Sequence, residues 1–157
     1  MNVVLDDRTA ETVAIYFQKA NRPEIRRTLP QKAQTLEEAL ADFEQTQRPG
    51  AASFGRTIWA DGEYVGDIWC YGLNREDTPN AMVSYCVFEP EHWGQGIASA
   101  ALSLFLAEVR ERFAWIQTLG AFTFSANAAS IQVLKRNGFR LMERFAEDGI
   151  QSEYYQV

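Results

Sequence analysis

The sequence predicts an α+β (α/β) fold, a mixed and mostly antiparallel twisted sheet of about six to seven strands with helices on both faces. Three features predict it. Two segments with helical apolar spacing come first and give way to β-branched and aromatic runs. Asp61-Gly62 separates two such runs, a strong hairpin signal. One long apolar helical stripe then connects the run at 81–88 to the run at 116–124. A crossover of that kind makes the two flanking strands parallel neighbours.

The elements follow in order. Val3 to Leu5 is a short first strand. Val13, Ala14, Phe17 and Ala20 form a helical face over 9–20, with a polar start at Thr9 and a stop at Asn21-Arg22-Pro23. Pro23 to Pro30 is an irregular or short helical connection. Thr35-Leu36-Glu37-Glu38 has the form of a capping box and opens a helix with Leu36, Ala39, Leu40 and Phe43 on one face. Arg48-Pro49-Gly50 ends it. Strands are expected at 54–60, 64–71 and 81–88 as an antiparallel meander, with a polar loop at 74–80 bordering a substrate cleft. Ile97, Ala98, Ala101, Leu102, Phe105, Leu106 and Val109 give the long helix a wide apolar stripe. A strand at 116–124 and a short helix at 127–136 follow, the helix stopped by Asn137-Gly138. Strands at 139–145 and 153–157 close the chain through Glu147-Asp148-Gly149.

The chemistry concentrates at Glu89-Pro90-Glu91-His92-Trp93-Gly94-Gln95-Gly96-Ile97-Ala98-Ser99. Here a strand ends at a proline, passes two glycines and starts a helix. The first turn of a helix has backbone N–H groups without intrahelical acceptors, and the helix dipole adds positive potential there. Glycine removes the Cβ that would hold an anion away from the backbone. The stretch therefore suits a phosphate or pyrophosphate. A dinucleotide fold would also require an acidic residue about twenty positions on, and the chain there reads Ala114-Trp115-Ile116. A P-loop is excluded because no Gly-Lys-Ser/Thr follows.

With 157 residues the chain is expected to be a single domain, 1–157. Apolar runs fall short of the roughly 20 residues of a membrane span, and the first residues lack signal-peptide character, so a cytoplasmic location is expected. Cys70 and Cys86 sit in strand-like runs and read as reduced core thiols. His92 is the single histidine, which argues against a zinc site and against a Ser-His-Asp triad. The net charge of −6 argues against nucleic acid as a partner and is compatible with a cationic substrate.

Two segments carry a resemblance. Tyr85 to Ala98, with its strand, proline and Trp-Gly-x-Gly-x-Ala loop, is one. Asn127-Ala128-Ala129-Ser130 running through Leu134 to Gly138-Phe139 is the other. With the hairpin Asp61 to Gly66 as a weaker third match, the chain resembles the GCN5-related N-acetyltransferase (GNAT) superfamily, in particular its ribosomal-protein alanine acetyltransferase branch. The resemblance implies acetyl-CoA as the cofactor and direct attack by a primary amine on the thioester. The pyrophosphate is expected on the segment Trp93, Gly94, Gln95, Gly96, Ile97, Ala98 and Ser99, and the pantetheine along Cys86, Val87 and Phe88. Asn127 matches the asparagine that binds the cofactor arm, and Ser130 the position that protonates the leaving thiolate. Read without the resemblance, Asn127 is equally a helix cap and Ser130 a first-turn polar residue.

In many relatives a glutamate stands two residues before the position of Ser84; this chain has Met82. Asp67, Glu89 and Tyr85 are the nearest candidates for proton transfer by strand position, each also readable as a surface or packing residue, and Ser130 and Tyr85 are taken as the catalytic residues. The missing glutamate leaves a non-catalytic acyl-CoA-binding module as the alternative. Trp59, Trp69 and Tyr71 either line the cleft or pack the sheet. Expected partners are acetyl-CoA and an amine (a protein N-terminus, polyamine or amino sugar), with no nucleic acid and no membrane, and homodimerisation left open.

Overall fold

The computed structural model of the chain describes residues 1–29, 32–73 and 79–157. Seven strands form one sheet in the order β1-β2-β3-β4-β5-β7-β6. They are β1 (Val3–Asp6), β2 (Ser53–Ala60), β3 (Glu63–Tyr71), β4 (Asn80–Val87), β5 (Thr118–Phe124), β6 (Arg140–Glu147) and β7 (Ile150–Gln156). The helices are α1 (Ala10–Ala20), α2 (Pro23–Arg26), α3 (Leu36–Thr46), α4 (Ile97–Arg112) and α5 (Ala128–Arg136). All neighbouring strands are antiparallel except β4 and β5, as the crossover predicts. The expected mixed, mostly antiparallel sheet is therefore the observed one. Most of the loop expected to border the cleft, 74–78, lies outside the described residues.

Local chemistry sets the boundaries. The Thr9 hydroxyl accepts from the Thr12 amide, and the Thr12 hydroxyl accepts from the Thr9 amide, closing a reciprocal cap on α1. Thr35 caps α3 by accepting from the Glu38 amide. The Glu38 carboxylate reaches the Gln34 amide at 2.8 Å, one residue before the expected Thr35 amide. Pro23 opens α2 at a position where its missing N–H costs nothing. The two hairpins turn on Asp61-Gly62 and Asp148-Gly149, all four residues with positive φ, which is the type I′ geometry that fits twisted strands.

A β-bulge decides which side chains meet which face. Ile58 opposes Gly66 and Trp59 opposes Tyr64, so Val65 is the extra residue. It joins Ile68 and Cys70 on the α4 face, while Tyr64 turns to the opposite face with Trp69. On the α4 face, Ile97, Ala101, Leu102, Phe105, Leu106 and Val109 are buried against the sheet. Each large side chain among them contributes roughly 1.5–3 kcal/mol. On the other face, Ala20, Ile25, Cys86 and Phe88 form a smaller core with Tyr16, Leu29, Tyr64 and Trp69. The α3 face is thinner: Ala39, Leu40 and Phe43 are half-buried and Leu36 is 41% exposed.

Trp59, Trp69 and Tyr71 are sheet-packing or surface residues. Trp59 donates to the Thr57 hydroxyl and lies against Tyr64, and Trp69 makes an edge contact with Tyr16. Cys70 and Cys86 are buried and unpaired, as expected of core thiols.

Gly66 sits opposite Val87 at the upper end of β3 and β4, where a Cβ would run into the Cys86 carbonyl oxygen. Gly66→Ala is expected to separate the strands and cost about 3 kcal/mol, a fall in Tm of roughly 10 °C. An unchanged unfolding midpoint in denaturant would contradict the close approach assigned to this glycine.

Candidate active site and cofactor cleft

β4 and β5 pair over only three residues, Asn80, Ala81 and Met82 against Thr118, Leu119 and Gly120. Beyond them β4 continues to Val87 beside β3, and β5 continues to Phe124 beside β7. The two strands no longer pair there, and a cleft of about 510 Å³ opens at this point. Tyr85, Cys86 and Val87 line one wall, Ala121, Phe122 and Thr123 another, and the cradle residues the top.

Backbone alternation identifies which groups face the gap. The Phe88 amide donates to Val65 in β3, and the Pro79 carbonyl accepts from Gln117 on the β5 side. Even-numbered residues of β4 therefore turn their N–H and C=O to β3, and odd-numbered residues turn theirs to the gap. Tyr85 and Val87 present backbone groups to a ligand there, whereas those of Cys86 and Phe88 belong to the β3 ladder. Trp93 Nε1 donates to the Val87 carbonyl oxygen at 2.7 Å and closes the top of the gap. Unpaired strand groups in a cleft invite a ligand with amides of its own.

Above the gap, a single 3₁₀ turn at Pro90–His92 leads to Gly94 and Gly96, both with positive φ (73° and 83°). Gly96 occupies the N-cap position of α4 with no side-chain cap, and the amides of 94–99 meet no protein acceptor among the described residues. A Cβ at either glycine would point into open space, so the glycines serve backbone conformation and access. The Asn137 side-chain amide donates to the Ser99 carbonyl at 3.3 Å and to its hydroxyl at 3.2 Å, tying the cradle to the end of α5.

On the other side of the cleft, the Asn127 side chain caps α5 by accepting from the Ser130 amide at 3.2 Å. The Ser130 hydroxyl lies 2.8 Å from the Tyr85 hydroxyl. Burial pushes the Tyr85 phenol up to about 12, partly offset by this hydrogen bond. Tyr85, Cys86, Val87, Trp93, Gly94, Gly96, Ile97, Ala98, Ser99, Asn127 and Ser130 all line the cleft. Phe88 and Gln95 do not: Phe88 is fully buried in the second core, and Gln95 folds back to the Glu91 carbonyl.

The remaining acid and base candidates are engaged elsewhere. Asp67 is buried, 3.0 Å from Arg8 Nε and hydrogen-bonded by the Tyr64 hydroxyl. Burial pushes its carboxyl up to about 6 against the pull of Arg8. Glu89 is held below the usual carboxylate range by a hydrogen bond from Arg22, with Lys19 adding to the effect. Neither lines the cleft. His92 does, with Nδ1 buried and without a partner among the described residues and Nε2 3.8 Å from Glu63. Sequence reasoning missed Glu24, Arg27 and Thr28, which reach the cleft from α2 and the residues after it. Their polarity on a short helix carried no signal of this position.

Replacing Gly96 by Leu is expected to lower the affinity for acetyl-CoA at least tenfold in calorimetric titration. Binding at parental affinity would show that no phosphate group sits on these amides.

The acetyltransferase (GNAT) domain family matches residues 3–140. No curated protein sequence matches the chain. Among solved structures, RimL, a ribosomal L7/L12 α-N-protein acetyltransferase in complex with coenzyme A, is similar at 22% identity and a TM-score of 0.83, over 100% of this chain and 94% of that one. RimJ of Mycobacterium smegmatis with CoA-disulfide is similar at 18% identity and a TM-score of 0.81, over 99% and 81%. The aminoglycoside acetyltransferase AAC(6')-Ib with coenzyme A is similar at 15% and 0.78, over 99% and 94%. At these identities the likeness is one of fold. The family match spans most of the chain, and the protein therefore belongs to the GNAT acetyltransferase domain family, an acetyltransferase with acetyl-CoA as its cosubstrate.

Proposed function

We propose that the protein acetylates a primary amine by direct attack in a ternary complex, with Tyr85 and Ser130 as the proton-donating pair. The observation that carries this reading is the 2.8 Å contact between the two hydroxyls, both of them lining the cleft beside the gap between β4 and β5. The cradle amides of 94–99 take the pyrophosphate, and the gap-facing groups of Tyr85 and the N–H of Val87 take the pantetheine amides. Asn127 orients the first turn of α5 beside the cofactor arm.

The chemistry then follows from proton bookkeeping. A protein α-ammonium, with a pKa of about 8, must lose a proton before it attacks. Its lone pair adds to the thioester carbon, the C–N bond forms, the C–S bond breaks, and sulfur leaves as a thiolate that takes up a proton. Tyr85 is protonated at neutral pH, since burial holds its phenol near about 12. Two hydroxyls sharing one hydrogen bond retain one hydrogen to donate, and it goes to the sulfur. The proton from the amine leaves through water towards Glu24, the one carboxylate among the described lining residues. Holding amine and thioester together supplies much of the remaining advantage.

A protein N-terminus is the favoured acceptor. The motif resemblance points to it, and RimL is named for acting on one. A polycationic amino sugar calls for several carboxylates, and the described lining has one. Among the described residues no helix is long and apolar enough to cross a membrane.

Thiol release from acetyl-CoA with short peptides bearing free N-termini tests the reading. Ser130→Ala is expected to reduce kcat about a hundredfold with acetyl-CoA affinity within about twofold of the parent. Unchanged turnover would remove Ser130 from the mechanism, and turnover of aminoglycosides alone would remove the protein N-terminus.

A further inference from the structure

A second cavity, of about 500 Å³, lies between the connection at 46–51, the start of β2 and the C-terminal end of α4. Four of the chain's twelve arginines line it: Arg8, Arg48, Arg56 and Arg112. Asp7 is the one carboxylate among the described lining residues, and its side chain is 79% exposed. The cradle stands at the other end of α4, whose 16 residues span about 24 Å at ~1.5 Å per residue. The cavity is therefore separate from the cofactor cleft.

Structural pairing accounts for two of the four cations. Arg56 is fully engaged: Nε and Nη2 donate to the Glu108 carboxylate, at 2.9 Å and 2.5 Å to Oε2, and Nη1 donates to Asp7. Arg8 pairs with Asp67 and lies over Gly55, whose missing Cβ leaves room for the guanidinium. Arg112 lies over the Phe54 ring, 4.3 Å from its centroid, and comes no closer than 3.9 Å to Glu108. Arg48 has no carboxylate partner among the described residues. The negative end of the α4 dipole favours a cation here, but it amounts to only about half a charge. With Asp7, Asp67 and Glu108 set against the four arginines, one positive charge remains in excess around this cavity, in a chain whose net charge is −6.

We propose that this cavity is a second ligand site, for a small polyanion bearing phosphate or carboxylate groups. The planar N–H forks of Arg48 and Arg112 match the paired oxygens of such groups, and the Ser53 hydroxyl on the same wall adds a neutral donor. Asp67 and Glu108 neutralise Arg8 and Arg56, so Arg48 and Arg112 are the two cations left for the ligand to neutralise. The cavity volume suits a small molecule.

The test is thermal melting of the full chain saturated with coenzyme A, titrated with inorganic pyrophosphate against sodium chloride of equal ionic strength. The expected result is a saturable rise in Tm beyond that of the salt. The half-effect concentration shifts at least tenfold in Arg48→Ala, and the rise disappears in Arg48→Glu. Arg48 is exposed, so both variants are expected to fold and to bind coenzyme A like the parent. No rise beyond salt, a rise lost once coenzyme A fills the cleft, or an equal response in the Arg48 variants would each overturn the assignment.

Discussion

The structure depends on the short parallel contact between β4 and β5. Three residue pairs hold the strands together at Asn80–Met82, and their other neighbours then hold them apart. Parallel strands need a crossover, and α4 is that crossover, buried along the whole of one face. Because α4 starts where β4 ends, the unfilled amides of its first turn come to lie directly above the unpaired edge of β4. The same divergence brings the first turn of α5, which follows β5, to Tyr85. Anion cradle, amide-pairing edge and hydroxyl pair are three consequences of one strand separation.

Electrostatics away from the cleft are arranged to keep other groups out of the chemistry. Asp67 is buried but tied to Arg8 and Tyr64, and Glu89 is held by Arg22 and Lys19. These pairings pin the start of α1 to β3 and the end of α1 to the loop after β4. Glu24 of α2 and Arg27 just after it reach the cleft from the same side. Position 82 of β4, where the family resemblance implies a glutamate, carries Met82, and the half-buried Glu24 is the one carboxylate among the described lining residues.

Much of this was legible in the sequence because local rules set it. Thr9, Thr35, Pro23 and Gly138 marked helix ends through cap chemistry, and the two Asp-Gly turns marked hairpins. Gly94, Gly96 and the Asn127-to-Ser130 spacing located the cleft. What was not legible depended on pairing over long sequence distances. The extra residue at Val65 shifts the alternation, putting Val65 on the face of Ile68 and Cys70 and Tyr64 on that of Trp69, and only the register with β2 reveals it. The Arg8–Asp67 pair joins residues with no shared motif. Phe88 was counted with the cofactor strand, but alternation turns its amide to β3 and its ring into the second core. The arginine cavity gathers residues from a loop, a strand and a helix end that are far apart in the chain.

The central claim is that the amides of 94–99 and the free edge of β4 jointly hold acetyl-CoA. Hydrogen exchange of the full chain, measured with and without saturating acetyl-CoA, tests it most directly. The account predicts slowed exchange at the amides of 94–99 and at those of Tyr85 and Val87, with the β3-paired amide of Phe88 little changed. Protection confined to other segments, or no protection at saturation, would contradict it.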